Sequence, residues 1–315
     1  MNSEPYYDPE IRAAIEAGPA FPPVVADTLG TARQNRIIAT EAVELSDAVA
    51  RTDVIVPGPS DHPELRVRMH RREGADGLAP GLVWCHGGGY VLGTPEQDDL
   101  RFDRWCTRFD LVGAVVNYRL APEHPYPAGL EDCYAALSWL KANGAEVGVD
   151  ANRIGIGGPS AGGGLAAALA LLVRDRGEFE IDYQMLIYPM IDDTRTSMTA
   201  GWHVPIWGPE SNRFGWSAYL GEWFGRDDVP AHAAPTRASD LSGLPPAYVM
   251  VGSLDGFADE NLDYAMRLNH AGVPVEFHLY PGAPHGFDGF APLTAVSKQA
   301  RSDVSGWLAR QLDQG

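Results

Sequence analysis

Arg153-Ile154-Gly155-Ile156-Gly157-Gly158-Pro159-Ser160-Ala161-Gly162-Gly163-Gly164 is the stretch on which the reading of this chain turns. An apolar run of strand character ends in a glycine-rich turn carrying one serine. Leu165 to Val173 follows as a buried helix, too short to span a membrane. A sharp strand-to-helix turn that exposes a hydroxyl needs small neighbours, because a Cβ would clash, and Gly158, Ala161 and Gly162 supply them. Alone, the G-x-S-x-G pattern is weak in a chain with 35 glycines; it equally describes a turn that lets a helix pack close to a sheet. A phosphate loop is excluded: Gly157 and Gly162 have its spacing, but Gly163 and Gly164 stand where Lys and Ser/Thr are required. A dinucleotide fingerprint fails as well, since Ser160 occupies the place of its third glycine.

A second glycine segment, His86-Gly87-Gly88-Gly89, follows the strand-like run Leu82-Val83-Trp84-Cys85. The two segments together supply an attacking hydroxyl and a set of backbone N–H donors for developing negative charge, the two requirements of acyl transfer. Strand-like runs fall at Thr52 to Val56, Leu65 to His70, Gly81 to Cys85, Val112 to Tyr118, Arg153 to Ile156, Gln184 to Tyr188, Ala247 to Gly252 and Val275 to Tyr280. Helical apolar faces lie at Leu130, Cys133, Tyr134, Leu137 and Leu140, at Leu262, Tyr264, Ala265 and Leu268, and at Val296, Ala300, Val304, Trp307 and Leu308. Strands alternating with helices predict an α/β fold, a mainly parallel sheet covered on both faces, with functional groups at the carboxyl ends of the strands.

Two segments stand outside this alternation. Residues 1 to 48 contain helical stretches but no strand, and residues from about 193 to 236 are rich in large aromatics. Both are expected to form a cap on a catalytic domain spanning 49–315. Trp202, Trp207, Phe214 and Trp216 would line an apolar substrate pocket there, or else form ordinary helix core.

A serine needs a base, and the base needs an orienting group. His285, in Pro284-His285-Gly286-Phe287, falls just past the last strand and is the candidate base. His86 more plausibly fixes its own loop, and His278 lies within a strand. Asp255 ends the strand Val251-Gly252 and is the candidate acid; Asp259 and Glu260 are rivals, placed where a helix begins and carboxylates commonly serve its dipole. The order Ser160, Asp255, His285 is that of α/β-hydrolases.

The net charge of −18 argues against nucleic acid or anionic membrane as a partner. The three cysteines are odd in number and widely spaced, unlike a disulfide framework or a metal site. With no apolar leader in Met1 to Tyr7, they point to a cytoplasmic protein.

The segments His86-Gly87-Gly88-Gly89-Tyr90, Tyr118-Arg119-Leu120-Ala121-Pro122-Glu123-His124-Pro125-Tyr126-Pro127-Ala128, Gly158 to Gly163, Asp255 with Asp259-Glu260, and Pro284-His285-Gly286-Phe287 resemble those of the hormone-sensitive-lipase-like esterases, bacterial family IV of the α/β-hydrolases. The resemblance implies an eight-stranded sheet and a cap built from the N-terminus and an insertion after the sixth strand. It further implies an oxyanion hole from the backbone N–H groups of Gly88, Gly89 and Ala161, and no cofactor or metal. Similar proteins hydrolyse esters of short to medium acyl chains, and many are homodimers through the last strand.

Four residues depart from the family's habit. Pro159 replaces Asp or Thr before the serine, Ser253 stands where Glu is usual, and Gly256-Phe257 replaces Pro-Leu after the acid. Proline has no N–H and fixes its own φ, so a retained triad with altered rate, pH profile or substrate range is expected. Amide or carbamate hydrolysis on the same three residues is the alternative activity. A ligand-binding receptor would be expected to lack the base or the acid.

Overall fold

The computed structural model describes residues 6–60, 64–194 and 206–313. Eight strands form one sheet in the order β1-β2-β4-β3-β5-β6-β7-β8. They are β1 (Val49–Pro57), β2 (Glu64–Arg72), β3 (Ala79–Cys85), β4 (Val112–Val116), β5 (Val149–Pro159), β6 (Gln184–Ile187), β7 (Ala247–Gly252) and β8 (Val275–Tyr280). β2 runs antiparallel to both β1 and β4, and every other pairing is parallel. All eight strand-like runs of the sequence are strands, and the sheet is the mostly parallel α/β-hydrolase sheet expected.

Residue chemistry explains the order. The central strands β4, β6 and β7 are buried at every position, which suits parallel strands covered on both faces. The edge strand β1 is largely open, and Asp53 on it pairs with Arg66 and Arg68 of β2, so charge rather than apolar surface faces water there.

The helices are α1 (Pro9–Ala17), α2 (Leu29–Glu41), α3 (Asp99–Phe109), α4 (Ala128–Asn143), α5 (Ala161–Arg176), α6 (Pro209–Leu220), α7 (Ala258–His270), the short α8 (Phe287–Phe290) and α9 (Ala295–Leu312). α5 is buried from Ala161 to Val173, because its Gly and Ala side chains let it lie directly on the sheet. The sequence does not mark α3 clearly, because Arg101, Asp103 and Arg104 interleave with its apolar residues Phe102, Trp105 and Cys106. Among the described residues, no helix is long and apolar enough to cross a membrane.

The N-terminal segment packs over the carboxyl ends of the strands. Asp8 caps α1 by accepting from the N–H groups of Glu10 and Ile11, and its own N–H donates to the Gly282 carbonyl just past β8. On α2, Arg33 donates to the Val91 and Ala121 carbonyls and pairs with Glu123. Val24 N–H donates to Ser211 Oγ on α6, which joins the N-terminal segment to the segment after β6.

Beneath them, the loop after β4 is held by a buried ion pair. Asp132, fully buried on α4, receives hydrogen bonds from the Arg119 guanidinium and backbone N–H.

Candidate active site

The turn after β5 puts Ser160 in a backbone conformation that side-chain-bearing residues rarely adopt, φ +58° and ψ −125°. Three backbone hydrogen bonds fix it there. Ser160 N–H donates to the Ile187 carbonyl at 2.8 Å, and its carbonyl accepts from Gly164 and Met190, each at 3.0 Å. The glycines are required by contact. A Cβ on Gly158 would lie 2.4 Å from the Cys85 carbonyl oxygen, and one on Gly162 would lie 1.9 Å from the same oxygen. Pro159 fits without breaking the sheet, pairing in register with Ile187 at the end of β5.

His285 and Asp255 arrive from the ends of β8 and β7. The two loops are laced together: Ser253 N–H donates to the Tyr280 carbonyl, Leu254 N–H to the Ala283 carbonyl, and Gly282 N–H to Ser253 Oγ. Ser253, one of the departures from the family's habit, thus ties the acid loop to the histidine loop. His285 Nε2 lies 2.9 Å from Ser160 Oγ and Nδ1 lies 2.7 Å from Asp255 Oδ2. The other Asp255 oxygen accepts from Phe257 N–H at 2.9 Å. All three residues are buried, Asp255 almost completely.

The rival acids are not the ones that meet His285. Glu260 accepts from the Ile191 and Asp192 N–H groups, and burial pushes its carboxyl pKa well up. Asp259 sits in the first turn of α7. His278 on β8 bonds Glu276.

Gly88 and Gly89 have φ of +136° and +60°, conformations that favour glycine. They follow β3 beside the elbow: a Cβ on Gly87 would lie 3.0 Å from the Pro159 carbonyl oxygen. Among the described residues, the N–H groups of Gly88, Gly89 and Ala161 have no hydrogen-bond acceptor. Ala161 opens α5, whose N-terminus adds positive potential next to Ser160.

His86 is fully buried and stacks on Tyr118 at 4.2 Å, with Nδ1 3.1 Å from the Gly87 carbonyl oxygen; the Tyr118 hydroxyl donates to the His86 carbonyl. Burial lowers its pKa to about 4, so it is neutral near pH 7 and braces the glycine loop.

The expected pocket aromatics differ among themselves. Trp207 packs directly on the glycine loop, since a Cβ on Gly89 would lie 1.9 Å from its ring. Phe214 is half-buried on α6. Trp216 is 1% exposed and packs on Tyr90 and Tyr219, which makes it a core residue rather than a pocket wall. Trp202 lies outside the described residues.

Two residues against His285 escaped the sequence reading as site residues: Tyr188, directly after β6, and Phe257. Only the family departure at Gly256-Phe257 pointed to the second.

A strained serine between strand and helix, with a carboxylate and a histidine from the ends of the last two strands, defines an α/β-hydrolase. Residues 82–289 match the alpha/beta hydrolase fold family. The chain is 33% identical to the esterase LipI of Mycobacterium tuberculosis over 95% of this chain and 93% of that protein. It is 36% identical to the carboxylesterase NlhH of the same species, over 87% and 91%. It superposes on the solved structure of a bacterial heroin esterase with a TM-score of 0.91, at 37% identity, covering 97% and 98% of the two chains. The chain belongs to the alpha/beta hydrolase fold family and, within it, to the hormone-sensitive-lipase-like group.

Proposed function

We propose that this chain is a serine carboxylesterase acting on esters of short to medium acyl chains through Ser160, His285 and Asp255. That it is a carboxylic ester hydrolase rests on its family and on relatives named as esterases and carboxylesterases. The observation that most supports the residue assignment is the position of His285, whose two ring nitrogens face Ser160 Oγ and Asp255 at 2.9 and 2.7 Å. Hydrogen bonding to Asp255 through Nδ1 leaves Nε2 as the acceptor for the serine proton.

In this mechanism Ser160 Oγ attacks the ester carbonyl carbon and its proton passes to His285 Nε2. The carbonyl oxygen, now an anion, receives hydrogen bonds from the N–H groups of Gly88, Gly89 and Ala161. The carbon–oxygen bond to the alcohol breaks, and His285 returns the proton to the departing oxygen. Water then attacks the acyl carbon as its proton passes to His285 Nε2; the bond from that carbon to Ser160 Oγ breaks, His285 returns the proton to Oγ, and the carboxylic acid leaves with Ser160 restored.

We further propose that the N-terminal segment and the segment after β6 act as a cap, with Trp207 as the wall beside Gly89. A homodimer through β8 and a cytoplasmic setting belong to the same proposal; light scattering of the purified protein tests the first.

A panel of p-nitrophenyl esters from two to twelve carbons, run beside a p-nitroanilide, tests the activity. Turnover highest on the shorter esters is expected. Strong anilide turnover with none on esters would overturn the assignment in favour of an amidase.

A further inference from the structure

The rings of Phe257 and Tyr188 stand against His285 from two different elements. Their centroids lie 5.0 and 4.8 Å from the imidazole, with interplanar angles of 84° and 68°. Each ring is itself locked in place. Phe257 is 2% exposed at the start of α7, and its N–H donates to Asp255 Oδ1 at 2.9 Å. One residue therefore touches both members of the acid–base pair, the acid through its backbone and the base through its ring.

Tyr188 holds φ +38°, a strained value for an aromatic residue, and its N–H donates to the Met250 carbonyl at 2.7 Å. Its hydroxyl donates to Asp288 Oδ1 at 2.8 Å. Asp288 lies on α8, directly after the histidine loop. Its other oxygen is 3.8 Å from Arg101, which also pairs with Asp98 at 3.2 Å. The alternating charges of Asp288, Arg101 and Asp98 thus anchor the Tyr188 ring from behind.

We propose that Phe257 and Tyr188 are positioning residues that hold the His285 ring in its productive orientation throughout the proton transfers, a role that rests on the Ser160–His285–Asp255 reading above. Rings set nearly perpendicular to an imidazole leave it little room to turn about its own side-chain bonds. The Nε2 atom then stays within reach of Ser160 Oγ while the ring passes between neutral and charged forms.

The test compares Phe257→Met, Phe257→Leu, Tyr188→Leu, Tyr188→Phe and Ser160→Ala with the unaltered protein. Readouts are kcat and KM on p-nitrophenyl butyrate, the low-field proton resonance of the Asp255–His285 hydrogen bond, and the melting temperature. Loss of either ring is expected to lower kcat about tenfold, less than the roughly hundredfold of a 1 Å misplacement, with KM changed less than about twofold. The low-field resonance should broaden or vanish. Tyr188→Phe keeps the ring and should retain activity within about threefold, which rescues the larger loss seen with Leu. Phe257→Leu, the milder change, stands in where Phe257→Met does not fold.

Unchanged kcat in the ring-loss variants would overturn the proposal. So would a loss of kcat with the low-field resonance intact, or equal losses in Tyr188→Phe and Tyr188→Leu. Ser160→Ala reports separately on the underlying reading: near-normal turnover there would remove the triad itself, whereas an inactive Ser160→Ala with insensitive rings removes only the clamp.

Discussion

Gly162→Ala adds a single methyl group, and the structure fixes what that methyl would meet. Its Cβ would lie 1.9 Å from the Cys85 carbonyl oxygen and 2.6 Å from that of His86. Both obstacles are backbone, so no rotamer change relieves them. Bringing the shorter contact to 3.0 Å requires α5 and the strand-end loop to separate by 3.0 − 1.9 = 1.1 Å. Ser160 sits two residues before Gly162, and Cys85-His86 leads directly into Gly88 and Gly89. The separation therefore opens the distance between the attacking oxygen and two of the proposed oxyanion donors. A displacement of about 1 Å costs on the order of a hundredfold in rate, and overpacking of this kind costs about 1–3 kcal/mol in stability. Gly162 has helical backbone angles, so no φ strain confuses the result. The assay is kcat/KM on p-nitrophenyl butyrate, with urea unfolding of the same sample. Activity within threefold of the unaltered protein would refute the reasoning, because it would mean that the elbow and the glycine loop are not in rigid contact.

Gly30→Ala is the matched control: no atom lies within 4 Å of the added Cβ on α2, so the helix should gain about 0.5–1 kcal/mol in urea unfolding with activity unchanged. Asp132→Ala removes the buried carboxylate that receives the Arg119 guanidinium and backbone N–H, and should cost about 1.5–3 kcal/mol by the same measurement. Burial of neutral His86 gives stability a pH slope. Its folded pKa, about 4, lies below the unfolded value of about 6.5, so between the two the unfolded chain binds the extra proton. That contribution is present above about pH 6.5 and is lost progressively towards pH 4, amounting to about 2 kcal/mol between pH 7 and pH 5. Melting temperatures across this range should fall less steeply in His86→Asn; an equal slope would assign the effect to other groups. Pro159→Asp, which restores a residue usual in the family, should change the pH profile of kcat/KM on short esters; an unchanged profile would make Pro159 neutral.

The sequence was most readable where chemistry and geometry coincide in a few residues. The glycines around Ser160 were legible because a Cβ is forbidden there, and the contacts at Gly158 and Gly162 give the reason. The eight strands were legible because central parallel strands are continuous apolar runs bounded by turns. Strand order was not, since nothing local records that β4 lies between β2 and β3. α3 escaped because its charged residues, among them Arg101 and Asp103, point into buried ion pairs instead of marking an exposed face. Tyr188 escaped for a related reason. As the last residue of an apolar run it reads as a strand end, and only the tertiary structure shows its ring against His285. Trp216 shows the converse failure: a large aromatic in a cap segment looks like a pocket wall, yet Tyr90 and Tyr219 enclose it in the core.

Covalent labelling tests the central claim most directly. The purified protein, treated with a fluorophosphonate that reacts with activated serines, should take up one label per chain, and fragmentation of the labelled peptide should place it on Ser160. Ester turnover should disappear in step with the labelling. Label on another residue as activity is lost, or full turnover with Ser160 completely modified, would contradict the account.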